Sequence, residues 1–532
     1  MREATREGEA TALLALDANN VGERTATMQN FETIRPGAPE TTGTASTSAP
    51  ERPRYGHPLG IEDPGGSIPT PKGSLRIEPL GYAGAFFYLS NGLTGPGFFG
   101  LPKTLQQGGW VLSLFSLVVF SFLTIFASSF MEKIIKQVKG GNLPFQQRDN
   151  KHPESEWRFS ELVRLIFTDR AVLVFKVVYV GMLLMLMVSC IHIAARALDS
   201  LLVSLAGNSY AVTFYPLLKL VASCDGDIDI DIEYKHTCLG GNLFYAYNDE
   251  YLFVTLGYFV LFLLAMIIAR NPLSERGLRM LYWIGWFGLL YVLVGVALKT
   301  EWNGEIPMWP KDEPALVFEI SILMFTLSFS IPLLVHHKSK DVKLDKILYH
   351  AVIQRSFEYS VFAVVMAGTF RDIKGLTAIE LLHRRENNID ATTRTIGWLT
   401  MLACVFENIV SYPLFISFEL SDVIADKQAS FISLGVPWLV SWLVYQEDSY
   451  DTLVNWMAAL LCGVVNFIFP LLLFRGMSEE LFPQMLFKVA GIDLHVEQWR
   501  TISTYGLNFV IFVIFLTYSL ETSSLLSGLI HE

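Results

Sequence analysis

A helix-breaking tripeptide lies in the middle of an apolar stretch that is long enough to cross a membrane. The stretch runs from Tyr82 to Pro102, and Gly95-Pro96-Gly97 stands near its centre. Proline removes a backbone donor and clashes with the preceding turn, and glycine lowers helix propensity. Lipid cannot satisfy the backbone groups that a break leaves unpaired, so such a break must face protein, water or a ligand.

The backbone groups at such a break can bind charged ligands. The amides that open the half-helix after the break can hold a carboxylate, and the carbonyls that end the half-helix before it can hold a cation. Secondary transporters with discontinuous helices use this arrangement. We therefore predict a substrate site at the break, the alternative being a simple kink of the kind that many membrane helices tolerate. The residues predicted to contact substrate are Thr94, Gly95, Pro96 and Gly97.

A second break is expected if the chain contains two inverted repeats, because the sixth helix would then mirror the first. Residues 315–335 read ALVFEISILMFTLSFSIPLLV, and the segment from Ser328 to Pro332 is the candidate break. It is a weaker signal than the first break because it contains no glycine. The side chains predicted to line the site here are Phe325, Thr326 and Ser328. Ordinary packing is the alternative, since serine and threonine are common at contacts between membrane helices.

Several ionisable side chains lie inside the apolar runs, where charge is costly and usually faces a cavity or a partner. They are Lys176, His192, Arg196, Asp199, Glu319, Glu358 and Glu407. A carboxyl group buried in a protein can exchange a proton near neutral pH. Glu407 and Glu319 are therefore the candidates for coupling to a proton gradient.

The segment from Tyr88 to Pro102, YLSNGLTGPGFFGLP, resembles the first helix of the amino acid/auxin permease superfamily. It is most similar to the sodium-coupled neutral amino acid transporters of that superfamily. The matching residues are Ser90, Asn91, Gly95, Gly97, Gly100, Leu101 and Pro102. Pro96 departs from the family pattern, as does Leu327, which stands where a polar residue or histidine is frequent. The resemblance implies a secondary transporter that moves a neutral amino acid, driven by a sodium or proton gradient.

The resemblance also implies a position for a coupling ion. In sodium-coupled members, the first-helix asparagine and a hydroxyl of the eighth helix hold the ion together, and these positions correspond to Asn91 and Ser411. Neutral oxygen atoms of this kind suit Na⁺. The competing expectation is proton coupling through Glu407 or Glu319. No cofactor other than a coupling ion is expected.

The composition is typical of a polytopic membrane protein, with 52% hydrophobic and 17% charged residues among 532. We predict an all-α fold of about eleven transmembrane helices, arranged as a five-plus-five inverted repeat with discontinuous first and sixth helices. The predicted spans are 82–103, 109–136, 168–205, 251–269, 278–298, 315–335, 347–370, 394–418, 430–445, 453–474 and 505–526.

Residues 1–76 are rich in Thr, Ser, Gly, Pro and Glu and are predicted to form a disordered cytosolic tail, followed by a transporter domain over 77–532. The distribution of Lys and Arg between loops favours a cytosolic N-terminus. The expected partners are an amino acid and the lipid bilayer, of the plasma membrane or of an acidic, vacuolar organelle. No block of basic residues indicates nucleic acid.

Two other functions are alternatives to transport. The string from His336 to Asp341 has the HHxxxD pattern of some acyltransferases, but it falls among lysines next to a predicted span, so we expect no enzyme. A membrane sensor that binds an amino acid without moving it would need the same site as a carrier. The sequence does not separate these two functions.

Cys224 and Cys238 lie in a polar loop that the charge distribution places outside the cell or in an organelle lumen, where cysteines are oxidised. We predict that they form a disulfide, which would stabilise the loop by roughly 3 kcal/mol. Under oxidising conditions both thiols should resist alkylation in the intact protein, as measured by mass spectrometry. Free labelling of both would contradict the disulfide and weaken the predicted topology.

Overall fold

The computed structural model describes residues 79–139, 158–164, 167–215, 217–223, 252–269, 275–299, 306–310, 314–339, 341–370, 378–383, 389–421, 423–444, 459–481, 486–489, 492–495 and 501–515, and positions 244, 302, 457 and 498. The chain is divided into two units, Met1–Ser74 and Leu75–Glu532. All described residues belong to the second unit. The predicted tail over 1–76 and the cysteine pair Cys224 and Cys238 lie outside them.

The first apolar stretch forms two helices joined by a short irregular segment. Helix α1 is Tyr82–Leu93, a 3₁₀ turn covers Pro96–Gly100, and α2 is Leu101–Gly108. Pro96 stands at the start of the 3₁₀ turn, where its missing N–H costs no helical hydrogen bond. The predicted break therefore exists, and it falls at Thr94 and Gly95.

The sixth apolar stretch is interrupted in the same manner. Helix α8 is Pro314–Met324, a 3₁₀ turn covers Ser328–Ser330, and α9 is Ile331–His337. Pro332 lies in the first turn of α9, where a proline is tolerated. The first and sixth helices are thus both discontinuous.

The remaining helices are mostly unbroken, and two of them are only six residues long. They are α3 (Trp110–Lys139), α4 (Phe159–Arg164), α5 (Asp169–Ala206), α6 (Leu256–Ala269), α7 (Glu275–Lys299), α10 (Leu344–Thr369), α11 (Ala378–His383), α12 (Ala391–Leu420), α13 (Asp426–Val444), α14 (Phe469–Leu481), which follows a π turn at Val464–Ile468, and α15 (Thr501–Phe515). Each predicted span overlaps one of these helices or a broken pair. Among the described residues, five helical segments are long and apolar enough to cross a membrane, and the full number of crossings stays a prediction.

Local residue chemistry accounts for several helix ends. Asp390 precedes α12, and its carboxylate accepts a hydrogen bond from the Thr393 amide at 3.2 Å, which caps the helix. Gly207 ends α5 with φ of 84°, and Gly109 separates α2 from α3 with φ of 76°. Both φ values lie in a region that a glycine enters without steric cost.

Two small antiparallel sheets accompany the helices. Strands β1 (Tyr210–Tyr215), β2 (Lys219–Ala222) and β3 (Leu252–Thr255) form one sheet in the order β2-β1-β3, with Ala211 opposite Thr255. Strands β4 (Leu486–Val489) and β5 (Ile492–His495) form a hairpin. The prediction that a helix covers all of 251–269 was wrong at its start, because β3 pairs with β1 there and α6 begins only at Leu256.

The two broken helices pack closely because glycine leaves room at the first break. A Cβ added at Gly97 would lie 2.9 Å from the carbonyl oxygen of Ile320 and 3.0 Å from Cβ of Leu323, both on α8. A Cβ at Gly95 would lie 3.2 Å from the Leu323 carbonyl oxygen. The glycines of the first break therefore allow its backbone to contact the backbone of α8.

We expect Gly97→Ala to destabilise the protein by about 1–3 kcal/mol, because the new methyl group would collide with backbone atoms. The matched control is Gly181→Ala in α5, where the nearest atom, Cδ1 of Leu461, would lie at an ordinary 3.7 Å. The control should be neutral or stabilising, by up to about 1 kcal/mol. Thermal unfolding in detergent measures both variants, and equal unfolding temperatures would contradict the close contact.

Candidate functional site

The end of α1 satisfies most of its carbonyl groups within the first break itself. The Thr94 amide donates to the carbonyl oxygen of Asn91 at 3.0 Å, and the Thr94 hydroxyl donates to that of Ser90 at 3.2 Å. The Gly95 amide donates to the Leu93 carbonyl at 2.9 Å. These hydrogen bonds replace part of the helical hydrogen bonding that is lost at the break.

Neighbouring helices supply further donors to the same break. The side-chain amide of Asn408 on α12 donates to the Thr94 carbonyl at 3.0 Å. Arg355 on α10 donates from Nε to the Ser90 carbonyl at 3.0 Å. The Tyr359 hydroxyl lies 3.5 Å from the Thr94 hydroxyl. The eighth helix therefore packs beside the first, as the resemblance implied.

Arg355 belongs to a buried ion pair. Its guanidinium lies 2.6 Å from a carboxylate oxygen of Glu358 and 4.9 Å from the ring centre of Tyr282. The two charged side chains are only 5% and 10% exposed. The pair thus places a fixed positive charge next to the carbonyl end of α1, which is the negative end of the helix dipole.

The second break is held in a similar way. The Ser330 amide and hydroxyl both donate to the Leu327 carbonyl, at 3.0 and 2.8 Å. The Phe329 amide donates to Oδ1 of Asn466 at 3.4 Å, and Asn466 lies in the π turn before α14. The Thr124 hydroxyl donates to the Phe325 carbonyl at 3.2 Å. A π turn often marks a functional position, because it re-aims one side chain.

A small cavity lies between α1, the second break and α12. Its volume is about 10 Å³, roughly the space that one water molecule requires. The residues that line it are Tyr88, Gly92, Thr326, Leu327, Phe329, Ser330, Glu407, Asn408, Ser411, Tyr412 and Phe415. Both broken helices thus meet the eighth helix around one small space.

Glu407 is the acidic group of this cavity and is 2% exposed. Its Oε1 accepts a hydrogen bond from the Ser411 hydroxyl at 2.9 Å, whereas its buried Oε2 has no hydrogen-bond partner. A buried carboxylate with an unpaired oxygen is unfavourable, so this group favours a proton or a nearby cation.

The predicted site residues separate into two groups. Thr326, Glu407 and Ser411 line the cavity. Gly95 and Gly97 instead contact α8, Thr94 caps α1, and Pro96 opens the 3₁₀ turn. Phe325 and Ser328 are buried against α3, where the hydroxyls of Ser328 and Ser128 lie 3.3 Å apart. Glu319 is buried on α8 and is not among the residues that line the cavity.

The two residues predicted to hold sodium have different partners. The side-chain amide of Asn91 donates to the Leu278 carbonyl on α7 at 3.1 Å. Ser411 donates to Glu407 on its own helix. The sodium site formed by Asn91 and Ser411 therefore stays a prediction.

Sequence reasoning did not assign Arg355, Tyr88, Asn408 or Asn466 to the site. One signal could have identified Arg355, because it stands three residues before Glu358 and an i, i+3 pair shares a helix face. Asn466 is a lone amide in an apolar run and is fully buried. Its role depends on a contact with the distant residue Phe329, which no local pattern indicates.

Residues 80–222 match the model of a family described as transmembrane amino acid transporter protein. This match confirms the resemblance carried by the first-helix residues. No curated protein matches the chain.

The fold is that of known transporters. MhsT in complex with L-phenylalanine is 12% identical, with 82% of this chain and 100% of that chain covered and a TM-score of 0.54. Two mutants of the Eremococcus coleocola manganese transporter are also 12% identical, covering 84% of this chain and 87% of theirs, with a TM-score of 0.50. At this identity the likeness establishes the fold alone. The family match and the apolar helices identify an integral membrane protein.

We expect Arg355→Gln to destabilise the protein by about 3–5 kcal/mol, because it would leave the buried Glu358 carboxylate without its cation. The double variant Arg355→Gln/Glu358→Gln removes both charges and should recover a large part of that loss. Thermal unfolding of wild type, both single variants and the double variant measures the coupling. Additive effects of the two substitutions would contradict a buried ion pair.

Proposed function

We propose that this membrane protein, which matches the transmembrane amino acid transporter family over residues 80–222, is a secondary transporter that moves a neutral amino acid together with a proton. The observation that carries the proposal is the cavity where α1 and the second break meet Glu407. The family match and the L-phenylalanine bound to MhsT support an amino acid as the substrate class.

The substrate would bind where the first break supplies backbone donors. Pro96 has no N–H, so the Gly97 amide is the first donor after the break, at the positive end of the following turn. The substrate carboxylate would accept hydrogen bonds there. Thr326 and the aromatic rings of Tyr88, Phe329 and Tyr412 surround the cavity and suit an uncharged side chain.

The cavity is too small for an amino acid in the described arrangement, because its volume corresponds to about one water molecule. Substrate binding therefore requires the broken helices to move away from α12. A helix that is already interrupted can bend at the break without losing further backbone hydrogen bonds. This motion would give access to the site from one side of the membrane at a time.

The contacts at the first break favour a proton over sodium as the coupling ion. The carbonyls of Ser90, Asn91, Leu93 and Thr94 accept hydrogen bonds from protein donors. The Arg355 guanidinium already places positive charge beside one of them. A sodium ion would have to displace these donors, whereas Glu407 can take up a proton with no rearrangement.

Uptake into proteoliposomes tests the proposal. A panel of amino acids is offered with a proton gradient alone and with a sodium gradient alone. We expect the proton gradient to drive uptake of neutral amino acids, and Glu407→Gln to remove most of this drive because glutamine cannot titrate. The matched control is Glu419→Gln on the same helix, a buried carboxyl that accepts a hydrogen bond from the Ser160 amide at 3.3 Å. This control should keep the proton dependence.

Two outcomes would replace the proposal. If a sodium gradient drives uptake and Asn91→Ala removes that dependence, then Asn91 and Ser411 form a sodium site. The proposal that a proton is the coupling ion is then wrong. If the purified protein binds an amino acid and no gradient drives uptake, then the protein is a sensor. If a proton gradient drives uptake and Glu407→Gln leaves this dependence unchanged, the role of Glu407 is contradicted, whereas proton coupling itself is not.

A further inference from the structure

The outer face of α7 carries a groove that the transport site does not use. Its volume is about 460 Å³, and it is lined by Arg276, Arg279, Met280, Trp283, Ile284 and Phe287. The residues Met280, Trp283 and Phe287 are 61%, 42% and 57% exposed. An exposed apolar surface is ordinary on a membrane helix, but this shallow groove has two arginines at one end.

The two arginines share one side of the helix. Arg276 and Arg279 stand at i and i+3 in the first turns of α7, and both are exposed. Residues at this spacing are neighbours on a helix surface. The Arg279 guanidinium also lies 5.9 Å from the ring centre of Phe87 on α1, so this end of the groove adjoins the broken first helix.

The apolar part of the groove follows the helix away from the arginines. The rings of Trp283 and Phe287 stack with their centres 5.3 Å apart and form its floor. From Arg276 to Phe287 the helix rises about 16 Å at 1.5 Å per residue. The hydrocarbon thickness of one leaflet is about 15 Å, half of the bilayer core. The groove therefore has the length of one lipid chain with its headgroup at the arginines.

We propose that this groove binds one anionic phospholipid, with its phosphate on Arg276 and Arg279 and an acyl chain along Met280, Trp283 and Phe287. Guanidinium groups form paired hydrogen bonds with phosphate, which gives the headgroup a defined position. In the predicted orientation, this end of α7 lies in the cytosolic leaflet, where anionic lipids are enriched. Because Arg279 contacts Phe87, a bound lipid would also hold α1 against α7.

Native mass spectrometry of the full chain in detergent tests this proposal. The protein is titrated with phosphatidylglycerol and, separately, with phosphatidylcholine carrying the same acyl chains. We expect one molecule of phosphatidylglycerol to bind in preference to phosphatidylcholine. The double variant Arg276→Gln/Arg279→Gln should bind phosphatidylglycerol about 25-fold more weakly. Each arginine near an anionic headgroup contributes about fivefold in affinity, and the two factors multiply.

The matched control is Lys343→Gln/Lys346→Gln, which removes two exposed positive charges at the start of α10, neither of which lines the groove. This variant should bind the lipid as the wild type does. The single variant Arg276→Gln, whose side chain is exposed, tests the same contact with less effect on α1. Equal weakening in the lysine variant, or unchanged binding in the arginine variants, would overturn the proposal.

Free phosphate distinguishes a lipid site from a simple anion site. Millimolar inorganic phosphate should not displace phosphatidylglycerol, because the acyl chain supplies much of the binding. Displacement would show that the arginines hold a soluble anion, and it would overturn the lipid proposal. No amino acid is present in these measurements, so their outcome is independent of the transport proposal.

Discussion

A helix that breaks inside a membrane must find partners for its own backbone, and most of this structure around the site follows from that requirement. Each unpaired backbone group in a lipid environment costs several kcal/mol. A few such groups would together cost about as much as the whole free energy of unfolding of a typical protein. The first break meets the requirement with its own Thr94 and with donors from α10 and α12. The second meets it with α3 and with Asn466.

These partners also determine where the site can form. Arg355 and Asn408 bind carbonyls on the side of the first break that faces α10 and α12. The glycines on the other side contact α8 directly. The space that remains lies between Tyr88, Thr326 and Glu407, and it contains an acidic oxygen with no hydrogen-bond partner. The site is therefore where α1, the second break and α12 leave the packing incomplete.

The electrostatics of the region assign different roles to its two buried acids. Glu358 is paired with Arg355, and this pair has no need of an ion from outside. Glu407 is bonded at only one oxygen, through the hydroxyl of Ser411. A buried acid that lacks a cation is the group whose protonation is most sensitive to a ligand that arrives beside it. This asymmetry is the reason that we propose Glu407, and not Glu358, as the coupling residue.

Features that depend on local chemistry could be read from the sequence, and features that depend on distant contacts could not. Gly95-Pro96-Gly97 identified the first break, and Pro332 with its serines identified the second, because proline acts on its own turn. Thr326 was predicted from its place beside the second break, Glu407 from its charge inside an apolar run, and Ser411 from the family resemblance. Asn466 and Arg355 were missed because their partners lie more than a hundred residues away. The start of β3 was missed for the same reason, since its partner strand β1 precedes it by a long loop.

We propose that an amino acid and a proton cross the membrane together through the cavity at Glu407. The most direct measurement is the lumenal pH of proteoliposomes loaded with a pH-sensitive dye, with no imposed ion gradient, when a transported amino acid is added outside. The account predicts that the lumen acidifies on addition, equally in sodium and in choline buffer. An amino acid that enters with no change in lumenal pH would contradict it.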